Sequence, residues 1–320
     1  MTIVGLDISK KTFHATLFIG GHTSRCTYAN SEKGFTDLSR WLAKHQAESG
    51  HACMEATGVY WEPVATWLHE QGWTVSVVNP LRIKAFAQTE LTRNKTDQVD
   101  SFLIARFCQE KQPTAWTPST PAAKTLQALS RHLEALDKTL TQQRNRLEAC
   151  REPLVMASLE RLMTEIKTEQ ATIRQQIADH LAHEPELAHR QELLCSIPGI
   201  GEATATILMA ELPTLESYAS SRQVAAQAGV TPKQFQSGTS VHGVPRISRI
   251  GNRRLRKALY FPAIVAMRYN PILQPFAERL RDRGKSEKCI ICAVMRKLFH
   301  LVYGVVKHNA KFDQNFAHVS

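Results

Sequence analysis

"TIVGLDISKKTFHATLFIGG", residues 2–21, contains two short apolar runs around the polar turn Ser9–Lys11. Each run is rich in β-branched and aromatic residues, so the stretch reads as two strands joined by a hairpin. From residue 31 the pattern switches back and forth between helical and strand periods. "SEKGFTDLSRWLAKH" (31–45) has Phe35, Leu38, Trp41 and Leu42 at helical spacing. "HACMEATG" (51–58) reads as a strand ending at Glu55, "VYWEPVATWLHEQG" (59–72) as a helix closed by Gly72, and "WTVSVVNP" (73–80) as a buried strand closed by Pro80. Strands alternating with helices predict an α/β layer. The opening hairpin makes its sheet mixed rather than all parallel.

The whole chain has 320 residues, enough for two domains at about 100–200 residues each, or for a few small ones. Its net charge of +11 and its pI near 9.4 predict a polyanionic partner. Asp7, Lys10 and Lys11 interrupt the start, so no secretory leader is expected. The longest apolar run found, 258–267, is ten residues, against the roughly 20 needed to span a bilayer, so no membrane is expected. Seven scattered cysteines predict reduced thiols and a cytoplasmic setting, nucleoid-associated when the protein is bound to DNA. The lone pair Cys289 and Cys292 reads as two cysteines on a helix face rather than a zinc site.

Three domains are expected: 1–118, 119–190 and 191–320. In the second, Leu126, Leu129, Leu133, Leu136, Leu140 and Leu147 make an a/d heptad seam, interrupted at Pro153 and continued by Leu159, Leu162, Ile166, Ile173, Ile177 and Leu181. Such a pair forms either an antiparallel hairpin or a dimerising coiled coil. The third domain opens with "SIPGIGEATATILMAEL" (196–212), a helix-hairpin-helix pattern or an ordinary turn between helices. In the first case the backbone at Gly199 and Gly201 can hold a phosphate. From Ser217 to Ala277 there is no acidic residue among 61, while nine are basic. Solvated surfaces mix signs, so this stretch predicts nucleic-acid contact, with Lys233, Arg246, Arg249, Arg253, Arg254 and Lys257 as candidates.

Four carboxylates stand out. Asp7 sits in a strand among Val4, Leu6 and Ile8, and Glu55 ends another strand. Asp97 and Asp100 start a helix in "TRNKTDQVDSFLIARFC" (92–108), where residues three apart share a face. Asp97 alone is explained as an N-cap. Four together repel unless a cation such as Mg²⁺ lies between them. A pair of ions about 4 Å apart drives in-line displacement at phosphorus. Arg93 and Lys95, in the loop just before, are either phosphate holders or solvated cations. Ser237, Thr239 and Ser240 are hydroxyls in a glycine-containing basic stretch that could equally be a plain loop.

"GLDISKKTF", "MEATGVYWEPVATWL", "VVNP", "FAQTELTRNKTDQVDSFLIARFC", "SIPGIGEATA", "SRQVAAQAGVTPKQFQSGTSVHG" and "RRLRKALYFPA", in this order, resemble the DEDD-type transposases of bacterial insertion sequences. These are relatives of the Piv/MooV invertases, and some members are recombinases guided by a bridge RNA. The resemblance implies a RuvC-like (ribonuclease-H-like) α/β first domain, a coiled-coil middle, and a mainly helical C-terminal transposase domain. It places the acidic tetrad on Asp7, Glu55, Asp97 and Asp100, holding Mg²⁺ (two ions, with Mn²⁺ as substitute), and a catalytic serine on Ser237. It implies DNA as target and donor, a non-coding guide RNA, and a homodimer or homotetramer. Other readings stay open. A hydrolytic nuclease or Holliday-junction resolvase needs only the tetrad. An actin- or sugar-kinase-like ATPase is suggested by "VGLDIS", but "KKTF" stands where its phosphate-binding turn belongs. A nucleic-acid-binding protein without catalysis needs only the basic stretch.

Overall fold

The computed structural model describes residues 2–89, 97–233, 236–237, 241–242, 246–248 and 250–315; Asp97–Val99, Lys233, Ser237 and Arg246 are among those described by backbone alone. The chain divides into two compact units, Met1–Pro118 and Ser119–Ser320.

The first unit is a five-stranded mixed sheet with helices on both faces. Its elements are β1 (Ile3–Ile8), β2 (Thr12–Ile19), β3 (His22–Ala29), α1 (Glu32–Lys44), β4 (His51–Glu55), α2 (Glu62–Glu70), β5 (Thr74–Val78), α3 (Pro80–Thr89) and α4 (Asp97–Lys111). The strand order is β3-β2-β1-β4-β5, antiparallel from β3 to β1 and parallel from β1 to β5. The expected hairpin is β1–β2. The third strand is an addition. In β3 only Ser24, Cys26 and Tyr28 turn inward, and two of these are polar or small, so its period-two signal is faint.

Successive strand residues face opposite sides of a sheet. Val4, Leu6 and Ile8 of β1 therefore join one core with Phe35, Leu38, Val64 and Leu68 of α1 and α2. Ile3 and Cys53 join the opposite core with Phe86 of α3 and Ile104, Ala105, Phe107 and Cys108 of α4. Ser31 caps α1 by accepting from Gly34 N, and Pro63 starts α2, where a missing N–H costs nothing.

The second unit comprises α5 (Pro121–Ala149), α6 (Pro153–His183), α7 (Pro185–Cys195), α8 (Glu202–Glu211), a 3₁₀ turn (Leu215–Ser217), α9 (Ser221–Gln227), β6 (Pro232–Lys233), β7 (Gln236–Ser237), β8 (Val241–His242), β9 (Arg246–Ile247), α10 (Arg253–Ala258), α11 (Tyr260–Tyr269), α12 (Leu273–Asp282) and α13 (Glu287–Lys307). α5 and α6 form an antiparallel hairpin within the chain: Gln170 Nε2 donates to Asp137 Oδ1 at 2.7 Å, and His180 Nε2 meets the Ala122 carbonyl at 2.8 Å. Pro153 starts α6 rather than breaking a helix. The α6 residues Leu159, Ile166, Ile173, Ile177 and Leu181 are buried in this pairing. Leu126, Ile173, Ile177 and Leu181 share one core with α7 to α13, so segments 119–190 and 191–320 fold as one body.

The C-terminal part is mainly helical, with one departure. Two short antiparallel pairs, β6–β9 and β7–β8, lie between α9 and α10 in the chain. Strands of two residues are too short to show alternation in a sequence. α13 is long and apolar enough by length and composition to cross a bilayer, at a mean hydropathy of 1.8, and half of that span is buried inside the unit. Arg296 and Lys297 interrupt its apolar run, so it does not stand out as a continuous one in the sequence. Its apolar side, including Val294, Leu298, Phe299 and Val302, sits at the centre of the core. Cys289 and Cys292 both lie on this helix.

Candidate active site

Asp7 and Glu55 end neighbouring strands. The β1–β4 register runs from Ile3 opposite His51 to Leu6 opposite Met54. Asp7 has the parity of Ile3 and Gly5, and Glu55 has the parity of His51 and Cys53. Both therefore belong to the face covered by α4.

Helix α4 crosses that face antiparallel to β1 and β4, and three contacts fix its direction. Ser101 Oγ and Thr16 Oγ1 are 2.9 Å apart and buried, with Thr16 paired to Gly5 across β1–β2. Gly5 itself lies against Ser101 O and Ala105 N so closely that a Cβ there would collide with both. Two turns further on, Cys108 hydrogen-bonds Cys53 and His51, towards the start of β4. Later residues of α4 thus point to the strand beginnings, and its first turn points to the strand ends. Asp100 therefore lies at the edge where Asp7 and Glu55 end. Asp97, one turn before Ser101, starts the helix at the same edge, though its side chain is outside the described residues.

Several residues at this edge were not legible in the sequence. His14 stands opposite Asp7 in the β1–β2 ladder, and its Nδ1 lies 2.8 Å from Thr27 Oγ1. Thr57 Oγ1 donates to Glu55 Oε1 at 2.9 Å, holding the carboxylate's direction. Asn30 Nδ2 donates to the carbonyls of Ser9 (3.1 Å) and Tyr60 (2.9 Å), tying the loop after β1 to the loop after β4. Counting register outward from the Ser9–Lys11 turn would have found His14; the other two depend on loop geometry. Among the described residues no three of His, Cys, Asp and Glu converge as a metal-binding group. Asp7, Glu55 and Asp100 would offer a cation hard carboxylate oxygens, the donor type of Mg²⁺ rather than of a thiolate-seeking ion.

Ser237 is on β7, paired with Val241 of β8. It lies in the second unit, and only its backbone is described. Lys233 and Arg246 face each other across β6–β9, also by backbone alone. Arg93, Lys95 and Arg249 lie outside the described residues.

The remaining basic candidates differ in kind. Arg253 is exposed. Arg254 Nε donates to Glu134 Oε2 at 2.6 Å and lies 3.9 Å from Glu211 Oε1, joining α10 to α5 and α8. Lys257 Nζ is 3.9 Å from Glu134 and remains largely exposed. At the centre is the Glu211 carboxylate, only 3% exposed, which accepts from Arg131 Nε (2.9 Å) and Nη2 (3.2 Å) and from Asn252 Nδ2 (2.6 Å). Burial pushes the Glu211 carboxyl up, but these donors and the charges of Arg131 and Arg254 outweigh it and hold it below the ordinary value. Asn252 also caps α10 through Oδ1. A cation so engaged positions helices first.

Gly199 has φ +106°, a backbone region that favours glycine, and a Cβ there would meet Ala266 Cβ and Pro262 O at 2.9 Å. Its requirement for glycine is therefore the close seat of the α7–α8 turn on α11. Gly201 precedes α8 with open space around it, and Glu202 supplies a negative charge in that helix's first turn.

Comparison with known families gives two matches. Residues 4–151 match a DEDD transposase model of IS110 elements, and residues 191–278 match the transposase IS116/IS110/IS902 family. The pilin gene-inverting protein of Moraxella bovis is 35% identical over 317 residues, covering 98% of each chain, and that of Moraxella lacunata is 35% identical with the same coverage. The transposase for insertion sequence element IS1328 of Yersinia enterocolitica is 23% identical, covering 98% of this chain and 99% of its own. With the strand-end carboxylates and the basic C-terminal unit already in view, the chain belongs to the IS110 family of transposases and is a DNA recombinase.

Proposed function

We propose that this recombinase cuts and exchanges DNA strands through a covalent serine–DNA ester, with Ser237 as nucleophile and Asp7, Glu55, Asp97 and Asp100 as the ligands of a Mg²⁺ site. The observation that carries the reading is the antiparallel run of α4 over β1 and β4, which brings the first turn of α4 to the edge where Asp7 and Glu55 end. A mixed sheet opening with a hairpin supports a RuvC-like first domain.

When bound, Mg²⁺ supplies Lewis-acid stabilisation of the charge developing on phosphate oxygens. The chain's residues do the rest. Thr57 steers the Glu55 carboxylate, and Asn30 ties together the loops that follow Asp7 and Glu55. The Ser237 hydroxyl attacks phosphorus. A serine phosphoester forms, the bond from phosphorus to the leaving sugar oxygen breaks, the hydroxyl gives its proton to a base, and the freed sugar oxygen takes one up. Attack of a hydroxyl from the other strand on this ester restores the serine and joins the strands. Arginines of the basic stretch neutralise the pentavalent phosphorus centre. A guide RNA fits the charge of +11 and leaves target choice to base pairing.

The test mixes protein, element-end DNA and Mg²⁺ and looks for a protein-linked strand. Ser237→Ala must abolish the adduct, and Asp100→Asn must lower its rate by at least about 100-fold while the fold stays intact. An adduct formed by the Ser237→Ala protein sinks the nucleophile assignment. Cleavage with no adduct in the wild type favours the hydrolytic nuclease. Sequencing of copurifying RNA tests guidance, and full recombination by RNA-free protein overturns it.

A further inference from the structure

We infer that the outer face of α11 is a stacking platform for single-stranded nucleic acid. Two opposite faces divide this helix. Pro262, Ala263, Ala266 and Met267 are buried, the first and third against Gly199. The other face carries Tyr260 (41% exposed), Phe261 (74%), Val265 (43%) and Tyr269 (70%), with Arg268 exposed among them. Phe261, Val265 and Tyr269 are spaced i, i+4, i+8, which makes one continuous stripe. Tyr260 and Phe261 rings meet edge to face, with centroids 5.5 Å apart.

Large aromatic side chains at this exposure are not explained by the core, which α11 fills with its other face. Charge selects the occupant. The stripe lies within the 61-residue stretch without an acidic residue, and Arg253 and Arg268 are exposed on α10 and α11. A second copy of this chain would gain the apolar contact but would set cation against cation. A polyanion satisfies both. Duplex DNA hides its base faces in the stack, so it offers the rings nothing to stack on. Unpaired bases expose π-faces, and sequence-tolerant binding of single strands combines such rings with cations along the backbone. Phe261 to Tyr269 spans about 12 Å of helix, the length of about three to four nucleotides at the per-strand rise of about 3.4 Å.

This deepens the proposed function only in naming the form of nucleic acid the second unit holds; it rests on that reading for the partner being nucleic acid at all. It involves neither Ser237 nor the carboxylates. The test uses the full chain and two probes, a 20-nucleotide oligothymidylate and a mixed-sequence 20-bp duplex, in titrations at several salt concentrations. Phe261→Ala and Tyr269→Ala should each weaken oligothymidylate binding by roughly 5- to 150-fold and leave duplex binding within about twofold. Phe261→Tyr and Tyr269→Phe should keep wild-type affinity. Arg268→Ala should weaken both probes and lower the salt slope by about one unit. Circular dichroism should show all variants folded, since these side chains are exposed. Unchanged oligothymidylate affinity in the double alanine variant overturns the platform, and so does an equal loss on both probes. An altered oligomeric mass with unchanged single-strand binding assigns the face to a second copy and also overturns it. Wild-type protein that binds oligothymidylate but cleaves no DNA strand refutes the catalytic reading alone.

Discussion

Gly5→Ala tests the packing that assembles the carboxylate edge. A Cβ at Gly5 meets the Ala105 N, the Ser101 O and, at 2.8 Å, the Ala105 Cα. Carbon contacts are comfortable at about 3.5–4.0 Å, so α4 must retreat from β1 by about 1 Å. The neighbours are helix backbone and cannot swing aside as a side-chain tip would. Overpacking of this kind costs about 1–3 kcal/mol. For a unit of 118 residues, each kcal/mol lowers the melting temperature by about 3–6 °C, giving a fall of about 3–18 °C. The same retreat carries the first turn of α4 away from Asp7 and Glu55, and a misplacement of about 1 Å costs on the order of 100-fold in rate. Thermal unfolding of the full chain and Mg²⁺-dependent strand cleavage measure the two effects. Hydrogen exchange should show faster opening in α4 than in α5 and α6. A Gly5→Ala protein that melts and cleaves like the wild type would refute the claim that this close approach sets the site.

Gly304→Ala is the opposite case: open space surrounds this α13 residue, so the substitution should stabilise the protein by about 0.5–1 kcal/mol, read from denaturant unfolding. Glu211→Gln removes the buried charge that Arg131, Arg254 and Asn252 share, and should cost about 2 kcal/mol at neutral pH. Glu211 and Glu134 are both held below the ordinary carboxyl value of 4.5. Their contribution is therefore present above that pH and is lost as pH falls below it, so the variant should show a shallower acid limb in unfolding measured from pH 6 to 3. His300 is pushed down from 6.5 to about 4, by burial first and then by the charges of Arg296, Lys297 and Arg222. Its unfolded form takes up a proton that the folded form refuses, so stability is lost as pH falls from about 6.5 to about 4. His300→Leu should flatten that window, and an unchanged slope would show that His300 is not responsible.

Periodicity and residue type alone determined much of this molecule. The opening hairpin, the strand ending at Glu55, the helix starting at Asp97 and the paired helices around Pro153 are local patterns, set by spacing and by proline and glycine chemistry. The acid-free stretch and its cations were visible for the same reason, since charge composition does not depend on folding. Tertiary structure alone decided the rest. β3 and the two-residue strands β6 to β9 are too polar or too short to alternate visibly, and they exist because neighbouring strands supply their hydrogen bonds. The direction of α4 over the sheet, and so the edge at which Asp100 lies, depends on the Gly5–Ala105 and Thr16–Ser101 contacts, both between residues far apart in the chain. The heptad seam could serve either a partner chain or its own return helix; within the chain, α5 packs antiparallel against α6. Arg254 and Gly199 read as nucleic-acid candidates by type and position. Folding adds that Arg254 is engaged by Glu134 and Glu211 and that Gly199 seats the α7–α8 turn on α11, contacts that residue type alone does not reveal.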